Sequence, residues 1–238
     1  MENSENKSLI STGSSNLTKT EKLLSITQKI LSEIKPQYER VRIGNQAWMT
    51  TNLDMDRFRN GDLIPHIESD EEWKEAGKNG QPAWCYYDNN PENGRKYGKL
   101  YNWFAVTDSK GLTPEGWHVP SDEEWTSLVE YLGKDAASYK MKSIEGWVEW
   151  EDLDGEIQKG AGDNSSGFNS LPGGFRCSGR SFCNISSYSH FWSSTEYDNS
   201  FAWFRSLYYN YSDVYRNYNI LYNFSKSSGA SVRCLRNP

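Results

Sequence analysis

The pentapeptide SDEEW occurs twice, at residues 69–73 and 121–125, and each copy carries the start signal of a helix. The Ser can accept from an orphan backbone N–H, and the Glu three residues on (Glu72, Glu124) can reach back to the Ser amide. Acidic residues then crowd the positive end of the helix dipole. Behind the second copy Trp125, Leu128, Val129 and Leu132 recur at helical spacing and predict a buried stripe. Beyond Leu132 that periodicity stops, and glycine-rich turns such as GAGDNSSGF and LPGGFRCSGR separate short alternating pieces. A chain punctuated in this way predicts an α+β fold: two helices, small antiparallel sheets and long loops.

The chain divides near residue 40. Residues 1–16 are mostly Ser, Asn, Thr and Lys, too polar to offset their ordering entropy, and predict a disordered tail. Leu23, Leu24, Ile26, Ile30, Leu31 and Ile34 then recur every three or four residues until Pro36, which predicts one amphipathic helix from Leu17 to Ile34. Two readings of its apolar stripe stand: packing against the domain that follows, or a short homo-oligomerising stalk. Residues 1–40 are thus tail plus helix, and 41–238 form the main domain. That domain opens with VRIGNQAWMTTNL, where Val41, Ile43 and Trp48 alternate with polar residues around an Asn-containing turn, the pattern of a strand pair.

Composition excludes some functions. A net charge of −6 over 238 residues argues against nucleic acid, whose binders gather Lys and Arg. No run of eighteen apolar residues calls for membrane insertion, and the first residues have neither the basic nor the apolar stretch of a secretion signal. Cys85, Cys177, Cys183 and Cys234 lack metal-ligand spacing. They read as buried or idle thiols, with a Cys177–Cys183 bridge across CSGRSFC as the alternative. His66, His118 and His190 lie far apart, and His118, just before a helix, reads as structural. Asp152, Asp154 and Glu156 read as a solvated acidic turn, because the spacing of an EF-hand loop is absent. The reading is therefore of a protein that is not an enzyme, with no catalytic residue, metal or cofactor assigned.

Between Tyr197 and Phe224 lie 28 residues, 11 aromatic and 5 Asn, without Gly, Pro, Lys, Glu or Gln. The segment predicts a strand near 201–209, a turn at NYSD, a second strand near 214–222 and a last strand at ASVRCLR. Ala202, Trp203, Arg205, Leu207, Val214 and Arg216 are read as framework. The tyrosines exceed what one sheet face can bury, and Tyr with Ser, Asn and Asp is the mixture favoured in binding loops. The predicted ligand-binding residues are Tyr197, Asn199, Ser200, Phe204, Ser206, Tyr208, Tyr209, Asn210, Tyr211, Ser212, Tyr215, Asn217, Tyr218, Asn219 and Tyr222. The tyrosines and asparagines among them are expected to form one continuous exposed patch.

The succession VRIGNQAWMTTNL, RNGDLIP, YGKLYNWFAV, PEGWHVPSDEEWTSL, GFNSLPGGFR, FWSSTE and SVRCLRN, over about residues 41–237, resembles the Fibrobacter succinogenes major paralogous domain of the C-type lectin-like superfamily. The resemblance implies a C-type lectin-like fold whose loop-rich half displays binding residues, and it carries over no enzymatic residue. Formylglycine-generating enzymes share that fold, but a shared fold does not transfer their chemistry. The segment 191–236, from FWSSTE into SVRCLRN, is also similar to the variable region of proteins targeted by diversity-generating retroelements. Adenine-directed rewriting of AAC or AAT codons yields Asn, Tyr, Ser, Asp, Phe, Ile and Leu among others, but never Lys, Glu, Gln, Met or Trp. Residues 197–224 obey that rule except at Trp203, assigned to the framework.

The expected function is a receptor- or adhesion-type protein presenting this surface to a protein or glycan on a target cell. The alternatives are a formylglycine-generating-like enzyme and a fixed structural surface protein. Display implies action outside the cell or on a virion, which a phage component released by lysis or a chain whose leader has been removed would each explain.

Overall fold

Each SDEEW copy starts a helix in the computed structural model, which describes Thr18, Leu23, Leu24 and residues 38–179, 181–217 and 224–238. The chain divides into two units, residues 1–37 and 38–238. The predicted helix from Leu17 to Ile34 lies outside the described residues apart from Thr18, Leu23 and Leu24; the two leucines are helical and exposed.

Residues 38–238 hold, among the described residues, α1 (Asp70–Lys78), α2 (Pro91–Tyr97), α3 (Trp103–Val106), α4 (Asp122–Leu132) and α5 (Ala137–Met141). The expectation of two helices is corrected to five. The three additional ones are short, and two take their start from asparagines. Asn90 accepts from Glu92 N at 3.0 Å with Pro91 as first helical residue, and buried Asn102 accepts from Ala105 N and Ala83 N, both at 3.0 Å. The full reciprocal capping box forms only at Ser121, which accepts from Glu124 N at 3.2 Å while Glu124 accepts from Ser121 N at 2.8 Å. At Ser69 only the forward half is made, from Glu72 N at 3.2 Å. The predicted stripe of α4 buries Trp125, Leu128 and Leu132, with Val129 partly covered.

Small antiparallel sheets supply the rest. The pairs β1 (Arg40–Ile43) with β2 (Gln46–Met49), and β3 (Trp84–Cys85) with β4 (Leu100–Tyr101), come first, followed by β5 (Trp117–His118). Two further hairpins are β6 (Glu149–Glu151) with β7 (Ile157–Lys159), and β8 (Phe175–Arg176) with β9 (Phe182–Cys183). The last strands are β10 (Tyr188–Glu196), β11 (Ala202–Tyr208), β12 (Tyr215–Asn217) and β13 (Leu235–Arg236). One sheet runs β1-β2-β13-β5, so the end of the chain closes between its opening hairpin and β5, with Leu235 opposite both Trp48 and His118. The other principal sheet is β10-β11-β12.

That second sheet separates two cores. In antiparallel strands, opposed residues share a face. The pairs His190↔Ser206 and Trp192↔Phe204 face a core with Tyr101, Trp103, Phe175 and Phe224, while Ser189↔Leu207 and Phe191↔Arg205 face α4 with Trp48, Trp125 and Phe168. Both faces are thus covered along most of β11. The third cluster, around Trp73, Ala83, Cys85 and Leu100, lies under α1.

Candidate functional site

The aromatic segment becomes β11, its two flanking turns and β12, and burial along it decides which predicted residues can meet a ligand. The strand expected near 201–209 is β11, with Ala202, Arg205 and Leu207 buried as framework residues should be. Phe204, at 3 % exposure, and Ser206, at 0 %, are also buried, which corrects their assignment to the ligand surface. Phe204 faces inward with Trp192 and Phe224, its ring 4.2 Å from that of Phe224. Ser206 Oγ accepts from Asn217 Nδ2 at 3.2 Å inside the sheet. The second expected strand is described as β12, up to Asn217. Tyr218, Asn219 and Tyr222 lie outside the described residues.

Tyr197, Asn199, Ser200, Tyr211 and Ser212 are exposed, and Tyr208, Tyr209, Asn210, Tyr215 and Asn217 are partly buried. Among the described residues the ring contacts fall at the two ends of β11, and the continuity expected of the patch turns on Tyr218, Asn219 and Tyr222, outside the described residues. At the β11–β12 turn Tyr208, Tyr211 and Tyr215 meet pairwise at 6.0, 5.1 and 5.2 Å, with Tyr188 4.6 Å from Tyr208 across the β10–β11 pair. Asn217 Nδ2 donates to the Tyr208 hydroxyl at 3.3 Å. At the other end of β11 the Tyr197 ring lies 5.0 Å from that of Trp203, and the Arg216 guanidinium stacks over Trp203 at 3.5 Å. Tyr209 belongs to neither group. One residue past Tyr208, it points to the opposite face, against Trp150 at 6.4 Å and the core below α4.

Between the last turns of α4 and β12 lies a groove of about 440 Å³, bordered by Thr126, Val129, Lys134, Val214, Tyr215 and Arg216. Two arginines that line it, Arg205 and Arg216, are joined by Asp122. Arg205 Nη1 donates to Asp122 Oδ1 at 2.5 Å, and Arg216 Nε and Nη2 reach Oδ2 at 2.8 and 2.7 Å. Burial alone would raise the Asp122 pKa, but the two guanidiniums outweigh it and hold the carboxyl below its ordinary value. Arg205 also donates to Thr126 Oγ1 at 2.9 Å, which fixes α4 to the sheet.

The three histidines stay apart. His66 stacks on Trp84 at 4.0 Å. His118 fits its structural reading, with Nε2 2.9 Å from Glu124 Oε1 and Nδ1 2.7 Å from Asn237 Oδ1. His190 is buried among Phe175, Phe204 and Phe224, and burial lowers its pKa to about 3, so it is neutral. Burial pushes the thiols of Cys85 and Cys234 up to about 12, the reverse of what a nucleophile needs. Cys177 Sγ and Cys183 Sγ lie 2.9 Å apart. Asp152 spends its oxygens within the acidic turn, accepting from the amides of Asp154 and Glu156 at 3.0 and 2.9 Å and from Gln158 Nε2 at 2.7 Å. Among the described residues, no cluster of His, Cys, Asp and Glu could hold a metal ion, and no helix is long and apolar enough to cross a membrane.

These features define a mixed α/β domain of small antiparallel sheets that carries an aromatic, turn-borne surface beside a groove. The chain belongs to the Fibrobacter succinogenes major domain family, whose model matches residues 41–236. No curated protein and no solved structure matches it.

Proposed function

We propose that the protein is a non-catalytic binding protein of the C-type lectin-like kind, which presents the turns around β11 and the adjoining groove to a protein or glycan on a target cell. The observation that carries this reading is the tyrosine group of exposed Tyr211 with partly buried Tyr208 and Tyr215, beside Asn210, Asn217 and a groove of about 440 Å³. Rings left in water forfeit burial that a partner can supply, and tyrosine gives rigid contact area at little entropic cost. Tyr197, Asn199 and Ser200 form a second contact point at the other end of β11. Rewriting of the segment by a retroelement accounts for its residue usage, and the framework exception Trp203 is held between Tyr197 and Arg216. Chemistry at a cysteine has less support, given the two thiols that burial pushes up to about 12.

The test is capture of the labelled full chain by a glycan array, a panel of purified surface proteins and intact cells, beside the Tyr197→Ser/Tyr211→Ser/Tyr215→Ser variant. Saturable capture by one ligand class, lost in the variant, is expected. Absence of capture throughout, or equal capture by both proteins, contradicts the proposal.

A further inference from the structure

Two buried lysines from outside the Tyr/Asn-rich turns hold both turns, and they do so through backbone oxygens. Lys142, 3 % exposed, directs Nζ at three carbonyls: Tyr209 O at 3.2 Å, Tyr211 O at 3.1 Å and Gly160 O at 3.1 Å. An ammonium has three N–H donors, so this set uses all of them. Among the described residues no carboxylate pairs with Lys142, and its ring neighbour is Trp147, 5.1 Å away. Ser138 adds two bonds to the same turn, Oγ to Tyr211 O at 3.3 Å and N to Ser212 O at 2.9 Å, and Tyr209 N donates to Ser187 O at 2.9 Å. At the other end of β11, Lys226, 5 % exposed, donates from its amide to Ser200 O at 3.0 Å. Its Nζ donates to Asn199 O at 3.1 Å and to the Glu196 carboxylate.

The side chains follow a different rule. Asn210, Ser212 and Asp213 make no side-chain hydrogen bond among the described residues, and the Tyr211 ring pairs there with the rings of Tyr208 and Tyr215. The shape of the β11–β12 turn is therefore set by atoms that every residue type except proline supplies alike. In the first turn Asp198 is the exception, because its Oδ1 accepts from Ser200 N and Phe201 N at 2.8 Å each.

We infer that Lys142 is the positioning residue of a sequence-tolerant ligand loop, in which Asn210, Tyr211, Ser212 and Asp213 determine specificity and can be exchanged without reshaping the turn. The specificity clause rests on the binding function proposed above; the positioning clause rests on the carbonyl contacts alone.

Amide hydrogen exchange of the full chain tests it. The variant Asn210→Ser/Tyr211→Asn/Ser212→Asn/Asp213→Ser should melt within about 2 °C of the parent and keep the protection of the Ser138 and Tyr209 amides, which bond to and from the turn. Lys142→Met, similar in length but without donors, should lower the protection of those two amides by about tenfold or more while the β1–β2 amides keep theirs. Loss of protection in the turn variant overturns the inference, as does unchanged protection in Lys142→Met. Should Lys142→Met fail to fold, Lys142→Gln, shorter and with two donors in place of three, is read by the same criterion. Because neither readout involves a ligand, failure of the ligand-capture experiment leaves this result separately readable.

Discussion

Asp122 shows how one side chain ties the surface to the scaffold. It opens α4, yet its carboxylate is shared by Arg205 from β11 and Arg216 from β12, and Arg216 in turn covers Trp203. Removing one member of a buried pair leaves the other charge uncompensated, and Arg205 is 2 % exposed. Asp122→Ala should therefore cost about 3–5 kcal/mol and lower the Tm by roughly 10 °C, whereas Arg216→Ala, at a half-exposed position, should cost far less. Calorimetry of the two variants separates these outcomes. The sequence marks Arg205 and Arg216 as framework, but not that they meet on an acid about eighty and ninety residues away. Only the fold brings those three together.

Helix α4 couples its cap to the end of the chain. Glu124 closes the capping box and also receives His118, which on its other side meets Asn237 beside β13. The hydrogen bond that His118 donates to the Glu124 carboxylate raises its pKa against the opposing effect of burial. A group whose pKa is raised by folding stabilises the protein fully below its unfolded value, about 6.5 for His, and loses that contribution as pH rises through the folded value. Stability relative to His118→Gln should thus grow as pH falls from about 8.5 to about 6, measured by denaturant unfolding at a series of pH values. A difference independent of pH would remove the pair from the account. The helix start itself is legible in SDEEW, and Asn90-Pro91 is a comparable signal for α2. The longest strand, β10, is not legible in the same way. Ser189, His190 and Ser193 are buried with Phe191 and Trp192, so no polar face remains to show a period of two.

The molecule is closed by contacts between distant parts of the chain. Arg233, fully buried near its end, donates to Met49 O, the Asn52 side chain, Phe168 O and Asn169 O. Residues 38–238 form their own contact unit, so deletion of residues 1–36 should leave the melting transition of the main domain in place. If the Leu17–Ile34 segment assembles copies, the mass by light scattering falls by a whole-number factor on deletion; a monomer before and after rules that stalk out. At this level the sequence supplies the family, because that rests on motifs that follow one another in order along the chain. Among the described residues, it does not supply the division of the rings between the two ends of β11, with Tyr209 on the opposite face. That division depends on where β11 ends and which core each side meets. Display requires that Tyr197, Tyr211 and Tyr215 be separable from Phe204, the ring that builds the core on the strand between them. Thermal melting of Tyr197→Ser/Tyr211→Ser/Tyr215→Ser beside Phe204→Ala measures this directly. The triple variant should melt within about 3 °C of the parent, and Phe204→Ala should lose roughly 10 °C, as expected for about 3–5 kcal/mol of buried aromatic packing. A triple variant that loses as much as Phe204→Ala would show the tyrosines to be scaffold and contradict the account.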